Sequence, residues 1–171
     1  MTNLSNTQVA EALKAALRVE TDGRYFYLMA AGSTVDPKGK EIFERLAREE
    51  QSHFEFLEQQ YRAIAKTGRL DASLKLGAPS DLTGPSPIFS NAIRSRLAEA
   101  HFEMTALSVG VELELSSERH YSVAAAAATD PVARAFFREL AQWEAGHYRA
   151  LTAQQDDLKE DYWAAGGFAP F

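Results

Sequence analysis

Apolar residues recur every three or four positions along most of the chain, which is the spacing of helices with one buried face. This pattern predicts four long helices, at about residues 6–32, 37–65, 102–128 and 131–159. No stretch alternates between apolar and polar residues as a half-buried strand would. We therefore predict an all-α fold, an antiparallel four-helix bundle made of two helical hairpins.

Capping residues mark where these helices begin. Ser5 is suited to cap the first helix, with Gln8 completing a capping box. Two Asp-Pro pairs, at 36–37 and 130–131, provide an N-cap followed by a first helical proline for the second and fourth helices. Each hairpin is therefore expected to turn within a few residues.

The two hairpins are separated by a long crossover, in which most turn-forming residues lie between 67 and 87. A shorter helical piece is expected near residues 89–99. The aromatic, glycine-rich C-terminus is expected to dock on the bundle or on a partner subunit. We predict one domain over residues 1–171, composed of a hairpin at 6–65, a crossover at 66–101, a hairpin at 102–159 and a tail at 160–171.

A shift of 94 residues superimposes the first hairpin on the second. Without a gap, residues 20–57 match residues 114–151 at 12 positions, including both Asp-Pro pairs and both Glu-x-x-His motifs. The hairpins are thus interpreted as two copies of one unit. The crossover must bring the second copy beside the first. A homodimer is the expected assembly, and exchange of hairpins between its subunits is a further possibility.

Ionisable residues interrupt the apolar stripes at mid-helix. In the second helix Glu50 and His53 continue the stripe of Phe43 and Leu46, and the fourth helix repeats this arrangement. The first and third helices each place one glutamate two turns from apolar neighbours. The residues predicted to point inward are Glu20, Glu50, His53, Glu114, Glu144 and His147.

The repeat also separates the two adjacent glutamates of the second helix. It aligns Glu50 with Glu144, but it aligns Glu49 with Trp143. Glu49 is therefore expected at the rim of the bundle, and Glu50 inside it.

Four buried carboxylates cannot stay ionised beside neutral imidazoles without compensation. No Lys or Arg lies on these stripes. Either the site holds protons or cations enter, and two divalent ions would bring a charge of +4 against −4. Carboxylate and imidazole ligands suit iron, manganese or zinc. A Glu-x-x-His pair can give one ligand to each metal or both to one, and carboxylates can bridge ions about 3.5–4 Å apart.

Composition narrows the function classes. The chain of 171 residues suits a single core, and its lack of cysteine excludes disulfides, thiolate zinc sites and cysteine-held iron clusters. A net charge of −6 disfavours nucleic-acid binding. There is neither a signal-peptide pattern nor an apolar run of about 18 residues, so we expect a cytoplasmic protein that does not bind membranes.

At the inward residues the chain resembles the rubrerythrin branch of the ferritin-like di-iron carboxylate proteins. The motifs that carry the resemblance are VETDGRYFY, EEQSH, ELSSERHY and EAGH. The resemblance implies a ferritin-like bundle that holds two iron ions, with zinc or manganese as possible substitutes. It implies terminal ligands Glu20 and Glu114, bridging ligands Glu50 and Glu144, one histidine on each iron (His53, His147), and Tyr27 and Tyr121 as hydrogen-bond donors to ligand carboxylates.

Two departures from the rubrerythrin pattern qualify what it implies. Rubrerythrins carry a cysteine-rich, rubredoxin-like domain that delivers electrons, whereas this chain has no cysteine. The chain is therefore expected to be a stand-alone member, with that electron donor either absent or supplied by another protein. Ser117 stands where rubrerythrins have an additional ligand glutamate, which predicts a more symmetric site.

The resemblance implies an oxidoreductase that reduces hydrogen peroxide or dioxygen as Fe(II) is oxidised, with a role in iron or oxidative-stress handling. Two alternatives stay open at this stage. One is a protein that stores or delivers iron without catalysis. The other is a redox-silent bundle that holds zinc, which binds such ligands at least as well as Fe(II) does.

Overall fold

The computed structural model describes residues 6–77 and 101–165, which form four helices and, within those ranges, no strand. The helices are α1 (Asn6–Ser33), α2 (Pro37–Thr67), α3 (His101–Ala127) and α4 (Pro131–Ala165). α1 packs along α2, α3 packs along α4, and α1 also contacts α3. The predicted all-α four-helix bundle is confirmed.

The two Asp-Pro pairs start α2 and α4 as predicted. The Asp36 carboxylate accepts hydrogen bonds from two backbone N–H groups of the first turn, both at 3.1 Å, and Pro37 is the first helical residue. At the other hairpin the Asp130 carboxylate accepts from the N–H of Val132 at 2.9 Å, directly after Pro131. Connections of three residues therefore link antiparallel neighbours within each hairpin.

The helix ends differ in part from the prediction. α2 ends at Thr67 and is capped by Gly68, whose φ of 73° is the left-handed conformation that closes many helices. α4 continues past the expected end near residue 159 to Ala165. The Ser5 cap, the helical piece at 89–99 and the end of the tail lie outside the described residues. The homodimer and the exchange of hairpins stay predictions.

Two apolar clusters fill the bundle, one on each side of its middle. The first joins the start of α1 and α4 to the ends of α2 and α3, and contains Leu13, Phe56, Tyr121 and Phe137 among others. The second occupies the opposite half of the bundle and contains Tyr27, Phe43, Leu46, Leu107 and Leu151 among others. The layer between them holds the inward-pointing ionisable residues, which are thus shielded from water at both ends.

In the part of the chain that is described, none of the helices combines the length and the apolar character needed to cross a membrane.

Candidate metal centre

All six residues predicted to point inward meet between the two apolar clusters. α1 supplies Glu20, α3 supplies Glu114, and α2 and α4 each supply a glutamate and a histidine one turn apart. Each of the six is at most 3% exposed. We call these residues the Glu/His cluster: Glu20, Glu50, His53, Glu114, Glu144 and His147.

The Glu/His cluster consists of two overlapping groups that could each hold a metal ion. In each group, one ligand atom from every residue lies within 4.8 Å of the others, and each group offers three carboxylates and one imidazole. Glu50 and Glu144 belong to both groups. The first group adds Glu20 and His53, and the second adds Glu114 and His147.

Both imidazoles turn Nδ1 toward the carboxylates of the Glu/His cluster. Nδ1 of His53 lies 3.1 Å from Oε1 of Glu144 and 3.2 Å from Oε2 of Glu20. Nδ1 of His147 lies 3.4 Å from Oε2 of Glu114. The two rings stack, with their centroids 5.7 Å apart and their planes 15° from parallel. Nδ1 is therefore the nitrogen of each ring that is placed to bind a cation.

Two buried tyrosines tie the hairpins together at this layer. The hydroxyl of Tyr27 in α1 donates a hydrogen bond to Glu114 in α3, and the hydroxyl of Tyr121 in α3 donates one to Glu20 in α1. Burial and the neighbouring carboxylates raise the pKa of both phenols well above the ordinary value of 10.0. The hydroxyls thus keep their protons and hold the two carboxylates in place.

The glutamates divide into two pairs with opposite pKa shifts. Burial and the charges of the other carboxylates raise the pKa of Glu50 well above 4.5 and that of Glu144 to about 8. Burial would also raise the pKa of Glu20 and Glu114, but hydrogen bonds to Glu50 and His53 bring the pKa of Glu20 below 4.5, and attraction to the His147 charge brings that of Glu114 below 4.5. The two shared glutamates therefore favour the protonated form, and the other two favour the ionised form.

The imidazoles also hold additional protons when no metal is bound. Burial lowers the pKa of a histidine, but hydrogen bonds and attraction to the surrounding carboxylates outweigh it and raise the pKa of His53 and His147 well above 6.5. Two imidazolium ions then balance Glu20 and Glu114. The raised pKa values thus favour protons at the atoms where two divalent cations would bind.

A second observation, the environment of the His147 ring, also supports a metal ion bound by these donors. Nδ1 of His147 is fully buried and lies 3.4 Å from Glu114 and 3.7 Å from Glu50, but it makes no hydrogen bond with proper geometry to any residue that the structure describes. A buried nitrogen in that state is costly unless something binds it. Oxygen and imidazole ligands together suit iron, manganese or zinc.

The prediction that Glu49 lies at the rim is wrong. Glu49 is only 8% exposed, and its Oε2 lies 2.8 Å from Nε2 of His147. The Glu49 side chain, one position off the inward stripe of α2, is long enough to reach across the bundle to the ring on α4. Its counterpart Trp143 packs its ring edge-on against His53, with the centroids 4.9 Å apart. The adjacent pair of glutamates is the one signal in the sequence that could have indicated this contact.

A cavity of about 120 Å³ leads to the cluster between α1 and α3. It reaches Glu50 and Glu114 and is also lined by Gly23 and Ser117, which are equivalent under the 94-residue shift. A Cβ atom added to Gly23 would lie 3.6 Å from Cδ of Glu50. Small side chains at these two positions therefore keep the cavity open.

Comparison with known proteins gives a family assignment. The family profile described as Rubrerythrin matches residues 11–154, a span that contains the whole Glu/His cluster. No curated protein and no solved structure matched the chain. With the profile covering most of the sequence, the chain belongs to the rubrerythrin family.

Proposed function

We propose that the Glu/His cluster binds two iron ions and that the protein is an oxidoreductase, which reduces hydrogen peroxide or dioxygen as Fe(II) is oxidised. The observation that carries this proposal is the pair of overlapping four-residue groups, both buried, that share Glu50 and Glu144. Two groups with two residues in common provide ligands for two neighbouring ions, and the shared carboxylates can bridge them.

Each ligand has a distinct place in this proposal. Glu20 and His53 would hold one ion, and Glu114 and His147 would hold the other. Glu50 and Glu144, which belong to both groups, would be available to both ions. Zinc and manganese suit the same donors, so the proposal of iron rests on the family and on the chemistry of the site together.

Two Fe(II) ions, when bound, supply the two electrons that convert hydrogen peroxide to water. The chain's own residues prepare the site for that chemistry. Tyr27 and Tyr121 hold two carboxylates in position, and the apolar clusters exclude bulk water from both ends of the site. The cavity beside Gly23 and Ser117 is large enough to admit a small oxidant such as hydrogen peroxide. The same opening gives a route for the protons that the reduction consumes.

The oxidised site needs electrons before it can react again. These 171 residues contain no cysteine to hold an iron site of rubredoxin type. An external electron-donor protein therefore completes the cycle in this proposal.

The test is to load the protein with Fe(II) without oxygen, add hydrogen peroxide and follow the oxidation of iron by absorbance. We expect fast oxidation in the native protein. A Glu50→Ala, Glu144→Ala double variant lacks both shared ligands and should oxidise iron no faster than free Fe(II) in buffer. Equal rates for the native protein and the double variant would contradict the proposal.

Iron stoichiometry separates this function from storage. We expect about two iron ions per chain, since the described residues offer two overlapping groups. Gel filtration of the iron-loaded protein should accompany the measurement. A large shell that contains many iron ions per chain would indicate storage, and two ions that never react with an oxidant would indicate a redox-silent bundle.

A further inference from the structure

The two halves of the Glu/His cluster differ at the residue that precedes each shared glutamate. Glu49 precedes Glu50 in α2, and Trp143 precedes Glu144 in α4. These positions are equivalent under the 94-residue shift, and both side chains are buried, at 8% and 7% exposure. The internal repeat therefore places a carboxylate on one side of the site and an indole on the other.

The carboxylate supports His147. Nδ1 of that ring faces the cluster, 3.4 Å from Glu114, while Nε2 lies 2.8 Å from Oε2 of Glu49. A carboxylate oxygen at this distance accepts a hydrogen bond from the ring, which places the ring N–H on Nε2. The lone pair is then left on Nδ1, the nitrogen that faces the metal position, and the ring is held in the orientation that binding requires.

The indole gives His53 no such support. Nδ1 of His53 faces Glu20 and Glu144, but its Nε2 makes no hydrogen bond within the described residues. The Trp143 ring lies edge-on to it, at an interplanar angle of 87°. An indole N–H donates but cannot accept, so it cannot hold a proton on Nε2.

We propose that Glu49 makes the two metal positions unequal, so that the position at His147 binds a divalent cation more tightly and fills first. The Glu49 carboxylate fixes the ring tautomer, strengthens the imidazole as a ligand and adds negative charge beside that position. Removing a hydrogen-bond partner of a ligand histidine typically costs about 10- to 100-fold in metal affinity. This inference rests on the proposal that the cluster binds two metal ions, but it does not depend on iron or on oxidation.

Cobalt(II) is a suitable probe because its absorption reports ligand binding and it is not oxidised under anaerobic conditions. We expect the native protein to bind two cobalt ions in two separable steps. At one equivalent, NMR should show one strongly shifted, exchangeable ring N–H signal, from His147. A Glu49→Leu variant should weaken the first step about 10- to 100-fold and leave the second step unchanged. Glu49→Gln, which keeps an acceptor oxygen, should restore part of the loss.

The control is Glu55→Leu, which removes an exposed carboxylate from the same helix and should leave both steps unchanged. If the native protein bound both cobalt ions with equal affinity, the inference that the two metal positions are unequal would be overturned, and no variant would be needed to show it. A Glu49→Leu protein that binds cobalt as the native protein does would also overturn it. Failure to bind two cobalt ions at all would instead contradict the proposed function.

Discussion

The Tyr27 hydroxyl donates a hydrogen bond to the Glu114 carboxylate, which joins α1 to α3 through the buried centre of the bundle. Tyr121 and Glu20 form the same contact in the opposite direction. Glu20 and Glu114 both favour the ionised form and are buried. Each tyrosine hydroxyl therefore donates to a negative charge that is shielded from water. This reciprocal pair links the hairpins at the layer where the metal ligands lie.

Replacing Tyr27 by phenylalanine keeps the ring but leaves the buried carboxylate without this donor. We expect the metal-free variant to lose about 1.5–3 kcal/mol of unfolding free energy, the usual contribution of a hydrogen bond to a charged group. Urea denaturation measures the loss. Tyr121→Phe should lose a similar amount, whereas Tyr25→Phe, at a position that is 62% exposed, should be neutral. Equal stability of Tyr27→Phe and the native protein would contradict the role given to this bond.

The pKa shifts of the cluster predict how the stability of the metal-free protein depends on pH. The folded-state pKa of Glu50, Glu144, His53 and His147 is raised, and a raised pKa gives stability that is lost as pH rises through the folded value. The lowered pKa of Glu20 and Glu114 makes stability depend on pH only below about pH 4.5, the ordinary value for glutamate. The melting temperature should therefore fall from pH 6 to pH 9.

Glutamine at position 144 tests this dependence directly. Glu144→Gln cannot ionise, so its melting temperature should fall less steeply through pH 8, where the pKa of Glu144 lies. Glu11→Gln alters an exposed carboxylate and should keep the native dependence. A melting temperature that rises from pH 6 to pH 9 in the metal-free native protein would contradict the assigned protonation states.

Sequence periodicity predicts the helices and the Glu/His cluster because both follow from local spacing. Whether Glu50 points inward depends only on the spacing of apolar residues in its own helix, and the internal repeat shows the same spacing around Glu144. Spacing along α2 does not place Glu49, since its environment depends on a contact across the bundle with the His147 ring of α4. α4 runs past the predicted end near residue 159 to Ala165 because the next helix-ending signal in the sequence is the Gly pair at 166–167.

Metal binding should release protons from the cluster. The raised pKa values of four groups favour protonated forms that a bound cation would displace, namely Glu50, Glu144, His53 and His147. We expect close to four protons released as two zinc ions bind. Calorimetry of zinc binding in buffers with different ionisation enthalpies measures this number. A release of fewer than two protons would show that the carboxylates and imidazoles are not protonated as described.

The cavity between α1 and α3 predicts a variant that separates metal binding from reaction. Ser117 lines the cavity beside Glu114 but belongs to neither ligand group, so leucine at this position should fill the cavity and leave the ligands in place. We expect Ser117→Leu to bind two iron ions and to react with hydrogen peroxide about tenfold more slowly, a barrier increase of about 1.4 kcal/mol. Stopped-flow absorbance of the Fe(II) protein measures the rate, and Ser122→Leu on the exposed face of α3 is the matched control. Native rates in Ser117→Leu with full iron loading would mean that the oxidant reaches the site by another route.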